Sequence, residues 1–324
     1  MAVVAAFKKL KVLDFIALSL LKKCTSTRKL MLTLILITFF SSMIITNDVA
    51  LITFVPITII IGKKVEINTL KIIVIQTLAA NLGSSLTPMG NPQNLFLYSY
   101  YNIRAFEFFK TTFILWIVSI ILLLIIIFKE KNEKLTFILK PIEIEETKKI
   151  IYYAILLIII LASVFHIIDY RISFAITLLF ISVLDNDLFK KVDYSLLLTF
   201  VGFFIFVGNI SNMSSFKNFM NYLLSSPEST YYTSILSSQV ISNVPATILL
   251  SGFTDNFKEL LIGVNIGGLG TLIASLASVI SYKLYCNENK EKSLEYMKIF
   301  SIYNFSALMI LILVIGVFLK SNII

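Results

Sequence analysis

The strongest constraint in this sequence is a set of long apolar segments. Residues Thr112–Phe128 and Ile150–Phe165 are apolar on every face of a helix, whereas the strands of a membrane β-barrel alternate between apolar and polar positions over about 10 residues. Hydrophobic residues make up 57% of the chain and charged residues 15%, compared with about 45–50% and about 25% in soluble domains. The sequence therefore predicts an all-α polytopic membrane protein.

A membrane-spanning helix needs about 20 apolar residues, and several uninterrupted segments approach or reach that length. They are Thr111–Phe128, Lys149–Phe165, Ile172–Leu184, Tyr194–Ile210 and Ile299–Leu319. Two further apolar segments, residues 66–101 and 257–284, are interrupted by Asn, Gly or Pro. Because non-helical backbone at membrane depth is tolerated only where it is buried in protein or lines a cavity, we interpret them as broken transmembrane helices at a transport site.

Two other segments are typical of helical hairpins with a polar tip. The first covers residues 29–62 and turns at Thr46-Asn47-Asp48, and the second covers residues 229–253 and turns at Ser242-Asn243. Basic residues flank the first hairpin on both sides but not the second. Since Lys and Arg are enriched on the cytoplasmic side, the first hairpin is expected to enter the membrane from the cytoplasm and the second from outside.

The two halves of the chain repeat the same short patterns in the same order. Thr46–Ile52 parallels Ser242–Ile248, and Asn81–Thr87 parallels Asn265–Thr271. With hairpins of opposite topology, this order predicts an inverted-repeat transporter with two re-entrant hairpins and two broken helices. The predicted organisation is a first repeat at 1–128, a cytoplasmic linker at 129–148 and a second repeat at 149–324.

The repeat also leads to an expectation about the start of the chain. Residues 149–228 precede the second hairpin, but only residues 1–28 precede the first. By symmetry we expect the first repeat to be truncated, with two helices missing and Met1 placed inside a third.

The hairpin tips are candidate anion sites. The second helix of each hairpin begins with N–H groups that lack helical partners, and Asn47, Asp48, Ser242 and Asn243 can cap them. The positive end of the helix dipole at these points favours an anionic group.

The helix breaks are candidate cation sites. Glycines permit unwound backbone, and the freed carbonyls, together with side-chain oxygens, suit a hard cation such as Na⁺. Asp48 differs in kind, because a carboxylate at membrane depth is costly unless it binds a cation, carries a proton or caps a helix. The candidate ion-coupling residues are Asp48, Asn81, Gly83, Ser84, Thr87, Asn91, Asn265, Gly267 and Thr271. The alternative is that these Asn, Ser and Gly residues only cap and interrupt helices.

The segments 81–94 (NLGSSLTPMGNPQN) and 242–246 (SNVPA) resemble signatures of the ion transporter superfamily, within its group of divalent-anion/sodium symporters, citrate transporters and arsenite permeases. The resemblance covers essentially the whole chain. It implies an elevator-type carrier, usually a homodimer, in which two Na⁺ or H⁺ sites flank a small anion between the hairpin tips. The implied substrate-binding residues are Thr46, Asn47, Ser242, Asn243 and Asn94.

Two departures from the family pattern leave the substrate open. The first tip reads Thr46-Asn47-Asp48 rather than Ser-Asn-Thr. The second broken helix continues as residues 274–278 (ASLAS) without a Pro-Pro-Asn element, which resembles arsenite permeases and sodium/proton antiporters more than dicarboxylate symporters.

The resulting functional prediction is a secondary active transporter. It would move a small anion, a carboxylate or an inorganic oxyanion, across the plasma membrane with Na⁺ or H⁺ as the coupling ion. The alternatives are arsenite or antimonite efflux or Na⁺/H⁺ antiport on the same scaffold, and a truncated paralogue that does not transport.

Other classes of protein are disfavoured by the sequence. A single histidine, His166, and the lack of a His-Glu-x-x-His motif or paired intramembrane aspartates argue against an intramembrane enzyme or a multi-histidine metal site. The net charge of +9 comes from basic residues at the ends of apolar segments, so it indicates orientation in the bilayer rather than binding of nucleic acid. No cofactor other than a coupling Na⁺ is expected.

Overall fold

The computed structural model describes residues 1–135, 144 and 146–321. Within these residues the secondary structure is helical, and the β-type pairing is one isolated bridge between Ser26 and Lys134. The all-α prediction is confirmed. Of the predicted linker at 129–148, residues 136–143 and 145 lie outside the described residues.

Most α-helices of the described residues coincide with the predicted segments, whereas Val12–Leu21 and Ser214–Leu223 lie outside them. In chain order they are α1 (Ala2–Lys9), α2 (Val12–Leu21), α3 (Thr27–Ile45), α4 (Asn47–Val65), α5 (Leu70–Gly83), α6 (Pro92–Tyr100), α7 (Ala105–Phe128), α8 (Thr147–Val164), α9 (Tyr170–Leu184), α10 (Tyr194–Ile210), α11 (Ser214–Leu223), α12 (Pro227–Ile241), α13 (Asn243–Ser251), α14 (Phe257–Gly267), α15 (Leu276–Glu288) and α16 (Ser293–Lys320).

Four helical segments of the described chain are long and apolar enough to cross a membrane. They are Thr27–Ile45, Ala105–Phe128, Thr147–Val164 and Lys290–Lys320. A fifth is added if Leu197–Ile210 and Ser214–Leu223, which meet at 102°, count as one bent span. Together with shorter apolar helices such as Tyr170–Leu184, these segments make the chain a multi-pass membrane protein.

The helices form two compact units. The first unit contains residues 1–23 and the described residues between 144 and 200. Its core is a cluster of buried apolar side chains from α1, α8, α9 and the turn at Asn186–Lys191. These side chains are Val3, Ala6, Phe7, Tyr153, Leu156, Ile181 and Leu188.

The second unit contains both hairpins and both broken helices, in residues 24–135 and 201–321. Helices α3 and α4 form the first hairpin, and α12 and α13 form the second. Small residues bring the second hairpin close to its broken helix. A Cβ atom added to Gly263 or Gly267 would lie 2.7 Å from the Cβ atoms of Ser234 and Ser238, respectively, which is the small-residue packing expected of apolar helices in a membrane.

These units do not follow the predicted division at residues 128 and 149. That division describes repeats along the chain, whereas the units describe which helices pack together. Residues 1–23 and the described residues of 144–200 belong to different predicted repeats but share one unit.

The described start of the predicted linker, residues 129–135, is part of the second unit. The backbone N–H of Thr27 donates to the Glu133 carbonyl at 2.9 Å, and that of Leu135 donates to the Thr25 carbonyl at 3.0 Å. The Lys71 ammonium donates to both carboxylate oxygens of Glu130 at 2.7 and 2.9 Å. These contacts tie the chain after α7 to the beginnings of α3 and α5.

A buried glutamine joins the first hairpin to α5. Gln76 is fully buried, and its Nε2 donates to Thr38 Oγ1 of α3 at 3.1 Å. Thr58 Oγ1 of α4 donates to Gln76 Oε1 at 2.8 Å. Because buried amides are costly when unsatisfied, these bonds favour one register of the three helices.

We expect Gln76→Met to destabilise the protein by about 1–2 kcal/mol, because it removes bonds to two helices while keeping the side-chain volume. Thermal unfolding of the purified protein in detergent measures this change. Thr58→Val provides a double-mutant cycle, in which the two losses should be clearly less than additive. Full additivity would show that the two side chains do not act together.

Candidate functional site

The two hairpin tips have the same unusual backbone. Thr46 adopts φ 75° and ψ 153°, and Ser242 adopts φ 72° and ψ 151°. This region is populated almost entirely by glycine and costs other residues about 1–3 kcal/mol. The turn ends the first helix of each hairpin and directs the N-termini of α4 and α13 into the tips. Asn47 and Asn243, the first residues of these helices, are both buried.

The two broken helices are interrupted at the predicted glycines. Helix α5 ends at Gly83, and two 3₁₀ turns, Ser84–Leu86 and Pro88–Gly90, lead to α6. Helix α14 ends at Gly267, and the chain passes Gly270, with φ +96°, before α15. Each break thus contains several residues without α-helical hydrogen bonding.

The breaks exchange polar contacts between the two repeats. Asn81 Oδ1 accepts from Ser275 Oγ at 3.0 Å, and Asn81 Nδ2 donates to Ser278 Oγ at 3.4 Å. The side chains of Ser275 and Ser278 come from the break before α15 and from its first turn.

The corresponding residue of the second repeat makes the reciprocal contacts. Asn265 Oδ1 accepts from Asn91 Nδ2 at 3.1 Å, and Asn265 Nδ2 donates to Asn94 Oδ1 at 2.7 Å. The spacings agree, since 91 − 81 = 10 and 275 − 265 = 10, while 94 − 91 = 3 and 278 − 275 = 3. Equivalent positions therefore bond across the repeats in both directions, as an internal two-fold relation requires. We call these six side chains the inter-repeat polar cluster.

Each tip is also bonded to the break of its own repeat. Asn47 Nδ2 donates to Asn81 Oδ1 at 3.1 Å. Thr87 Oγ1 donates to the Met43 carbonyl at 2.5 Å, and Thr271 Oγ1 donates to the Gln239 carbonyl at 3.0 Å. The latter two bonds are equivalent, because Met43 and Gln239 both lie three residues before the tip residue.

The second tip has further contacts with its break. Ser242 Oγ donates to the Ala274 carbonyl at 3.3 Å. A Cβ atom added to Gly268 would lie 2.8 Å from Asn243 Nδ2, so the tip asparagine lies directly against this glycine.

Asn94, a predicted substrate-binding residue, is bonded to the backbone of the first break. Its side chain is fully buried, and its Nδ2 lies 3.1–3.2 Å from the carbonyl oxygens of Ser84, Ser85 and Thr87. It therefore holds the non-helical carbonyls of the first break. Ser84 is bonded within the same break, where its hydroxyl donates to the Asn81 carbonyl at 2.9 Å and accepts from Asn91 Nδ2 at 3.1 Å.

Asp48 is half-buried in the first turn of α4. Its backbone N–H donates to Asn47 Oδ1 at 3.0 Å. The equivalent position of the second tip, 48 + 196 = 244, is Val244. The two tips therefore share a backbone conformation but differ by one carboxylate.

Sequence reasoning missed three residues that the structure brings to this region. Ser275 and Ser278 belong to the inter-repeat polar cluster and could have been found by applying the spacing of Asn91 and Asn94 to the second repeat. Gln239 bonds to the second break through both its side chain and its carbonyl. Its sequence signal was an amide side chain three positions before the second tip.

Two hairpins whose tips meet two broken apolar helices define this chain as a membrane transporter. Comparison with known families agrees, because the profile of the citrate transporter family matches residues 1–259. The chain therefore belongs to the citrate transporter family.

Individual relatives are also named as transporters or membrane proteins. The chain is 36% identical over 294 residues to an uncharacterized transporter of Methanocaldococcus jannaschii, covering 88% of this chain and 78% of that protein. It is 29% identical over 274 residues to inner membrane protein YbiR of Escherichia coli, covering 84% and 73%. A shorter match, 34% identical over 119 residues, covers 36% of this chain and 21% of the Dictyostelium discoideum protein carrying the name arsB.

Proposed function

We propose that this protein is a secondary active carrier that moves a small anion across the plasma membrane, coupled to Na⁺ or H⁺. The observation that carries the proposal is the pair of matching tips, where the N-termini of α4 and α13 are held by strained residues and bonded to the breaks. Helix N-termini present N–H groups and the positive end of the dipole, which together bind anions. A carboxylate or an inorganic oxyanion fits this chemistry.

The residues of the tips have different roles in this proposal. Thr46, Asn47, Ser242 and Asn243 contact the anion through their side chains and the first N–H groups of the helices. Asp48 takes part in ion coupling, since it is the charged residue at the tips and a carboxylate at membrane depth binds a cation or a proton.

We further propose that transport follows an elevator mechanism in a homodimer. Both hairpins and both broken helices belong to one compact unit, residues 24–135 and 201–321. A unit that contains all the proposed binding residues can move as a body without breaking the hydrogen bonds of the inter-repeat polar cluster.

Arsenite or antimonite efflux is the second candidate. The observation that favours it is the match to the protein named arsB over 119 residues. Transport assays with both kinds of solute separate the two candidates.

The test is uptake into proteoliposomes of the purified chain. Labelled citrate, succinate, sulfate and arsenite are each supplied with a Na⁺ gradient, a pH gradient or neither. We expect gradient-driven accumulation of at least one of the anions. A lack of gradient-dependent flux for every solute would contradict the carrier proposal, and flux of arsenite alone would favour the second candidate.

We expect Asp48→Asn to reduce gradient-driven accumulation at least tenfold, because the amide cannot neutralise a cation or carry a proton. Exchange of labelled for unlabelled anion without a gradient should persist, since the helix N-termini remain. Asp187→Asn is the matched control, because Asp187 is exposed in a turn of the other unit and should leave accumulation unchanged. Normal accumulation by Asp48→Asn would remove Asp48 from ion coupling.

A further inference from the structure

We propose that the side-chain amide of Gln239 takes the place of a coupling cation at the second tip, so that the carrier couples to at most one cation, at the first tip. This inference rests on the proposed transport function and concerns its ion stoichiometry. It differs from the symmetric arrangement of two ion sites that the sequence suggests.

Gln239 is bonded to the second break by both ends of its amide. Its Nε2 donates to the carbonyls of Gly267 at 2.8 Å and Leu269 at 2.9 Å, and its Oε1 accepts from the Thr271 N–H at 3.0 Å. The fit is close, since a Cβ atom on Gly270 would lie 2.3 Å from Oε1. The amide therefore fills the space between the second hairpin and its broken helix.

These bonds satisfy the groups that a cation would need. A break in a buried helix leaves carbonyl oxygens without helical N–H partners, and either a cation or an N–H donor can satisfy them. The Gln239 Nε2 has two N–H donors and lies within 2.9 Å of two carbonyls of the break. Because this donor is covalently part of α12, it cannot dissociate and cannot couple an ion gradient to transport.

The first tip has a different set of side chains on the same backbone. Subtracting 196 places Met43 opposite Gln239 and Asp48 opposite Val244. The backbone bond is retained, since the Met43 carbonyl accepts from Thr87 as the Gln239 carbonyl accepts from Thr271. A thioether cannot donate to the break, and the first tip carries a carboxylate, whose negative charge can balance that of a cation.

Asn94 at the first break is not the counterpart of Gln239 at the second break. Its amide also donates to carbonyls of a break, but it comes from α6, which is part of the same broken helix. Gln239 comes from the hairpin, and so it occupies the position between tip and break where a cation would bridge them.

The first test measures Na⁺-specific stabilisation of the purified full chain in detergent. Asp48→Asn removes the carboxylate of the first tip, and the triple variant Asp48→Asn/Gln239→Met/Val244→Asp then gives the second tip both residues found at the equivalent positions of the first tip. Unfolding midpoints are compared in NaCl and in choline chloride of equal concentration. We expect no Na⁺-specific shift for Asp48→Asn or for Asp48→Asn/Val244→Asp, which keeps Gln239, and a rise of about 3 °C in NaCl for the triple variant at Na⁺ concentrations about tenfold above the dissociation constant.

The control distinguishes an ion-replacing amide from a merely structural one. Gln76→Met, also in the Asp48→Asn background, removes a buried amide that bonds to threonine side chains rather than to a helix break, and its loss of stability should be the same in both salts. If the triple variant likewise loses equal stability in both salts, the proposal is wrong.

A second measurement keeps the proposal testable if the triple variant does not fold. Equilibrium binding of ²²Na⁺ to the purified protein should give at most one saturable site per chain, and none in Asp48→Asn. A saturable site that persists in Asp48→Asn and is lost on Thr271→Val would overturn the proposal. Neither measurement depends on flux, so failure of the transport assay and failure of this inference remain distinguishable.

Discussion

Asn47→Ala and Asn243→Ala are each expected to reduce anion flux at least a hundredfold. Both side chains lie buried at the first position of a tip helix, and Asn47 also connects its tip to Asn81 at 3.1 Å. Alanine removes the polar group and leaves the tip free to shift relative to the break. Initial rates of labelled anion uptake into proteoliposomes measure the effect.

The matched control for these variants is Asn209→Ala. Asn209 is exposed on α10, where its Nδ2 donates to the Ile205 carbonyl of the same helix at 2.7 Å. All three proteins should insert into membranes and elute as single species on size exclusion, since none of the changes introduces a polar or charged residue into an apolar segment. Wild-type flux in both tip variants would exclude the tips from the substrate site.

Gly83→Ala is expected to destabilise the protein by about 2–3 kcal/mol or to prevent its folding. A Cβ atom at this position would lie 2.2 Å from the Phe39 carbonyl oxygen and 2.7 Å from Ser42 Oγ. A backbone carbonyl cannot rotate away, so the first hairpin would have to separate from α5. Thermal unfolding in detergent, or the yield of monodisperse protein, measures the loss.

Gly202→Ala and Gly208→Ala provide the comparison. Both glycines lie in α10, and an added Cβ atom at either one meets nothing within 4 Å. Because alanine favours a helix over glycine by about 1 kcal/mol, these variants should be at least as stable as the wild type. A Gly83→Ala variant of wild-type stability would contradict the close packing of α3 on α5.

The sequence was sufficient to predict the helices, the tips and the breaks, and the reason is physical. A polar residue inside an apolar segment is costly in a membrane, so Thr46-Asn47-Asp48 and Ser242-Asn243 mark turns with little ambiguity. The change from polar to apolar residues along the chain likewise predicts where helices begin and end, and the predicted span Tyr194–Ile210 coincides with α10.

The partners of the polar residues could not be predicted in the same way. Ser275 and Ser278 are ordinary residues in a helical segment until the fold places them beside Asn81. Asn94 was assigned to the substrate because of a family signature, but its bonds to three carbonyls of its own break depend on how that break is wound. The assignment remains a prediction.

The division into units was also inaccessible to the sequence. Pattern and spacing reveal repeats along the chain, whereas a compact unit depends on which apolar faces pack together. Residues 1–23 join residues from 144–200 through side chains such as Phe7 and Tyr153, and no motif marks that association.

The inter-repeat polar cluster has a consequence for the biosynthesis of the chain. Asn81 Oδ1 has an early partner in Asn47, but Ser278, which accepts from Asn81 Nδ2, lies 197 residues later in the chain. The ribosome must therefore add most of the protein before both ends of this buried amide are bonded. At translation rates of about 5–20 residues per second, α5 waits for about 10–40 s. The polar contacts between the two repeats are therefore completed late in biosynthesis.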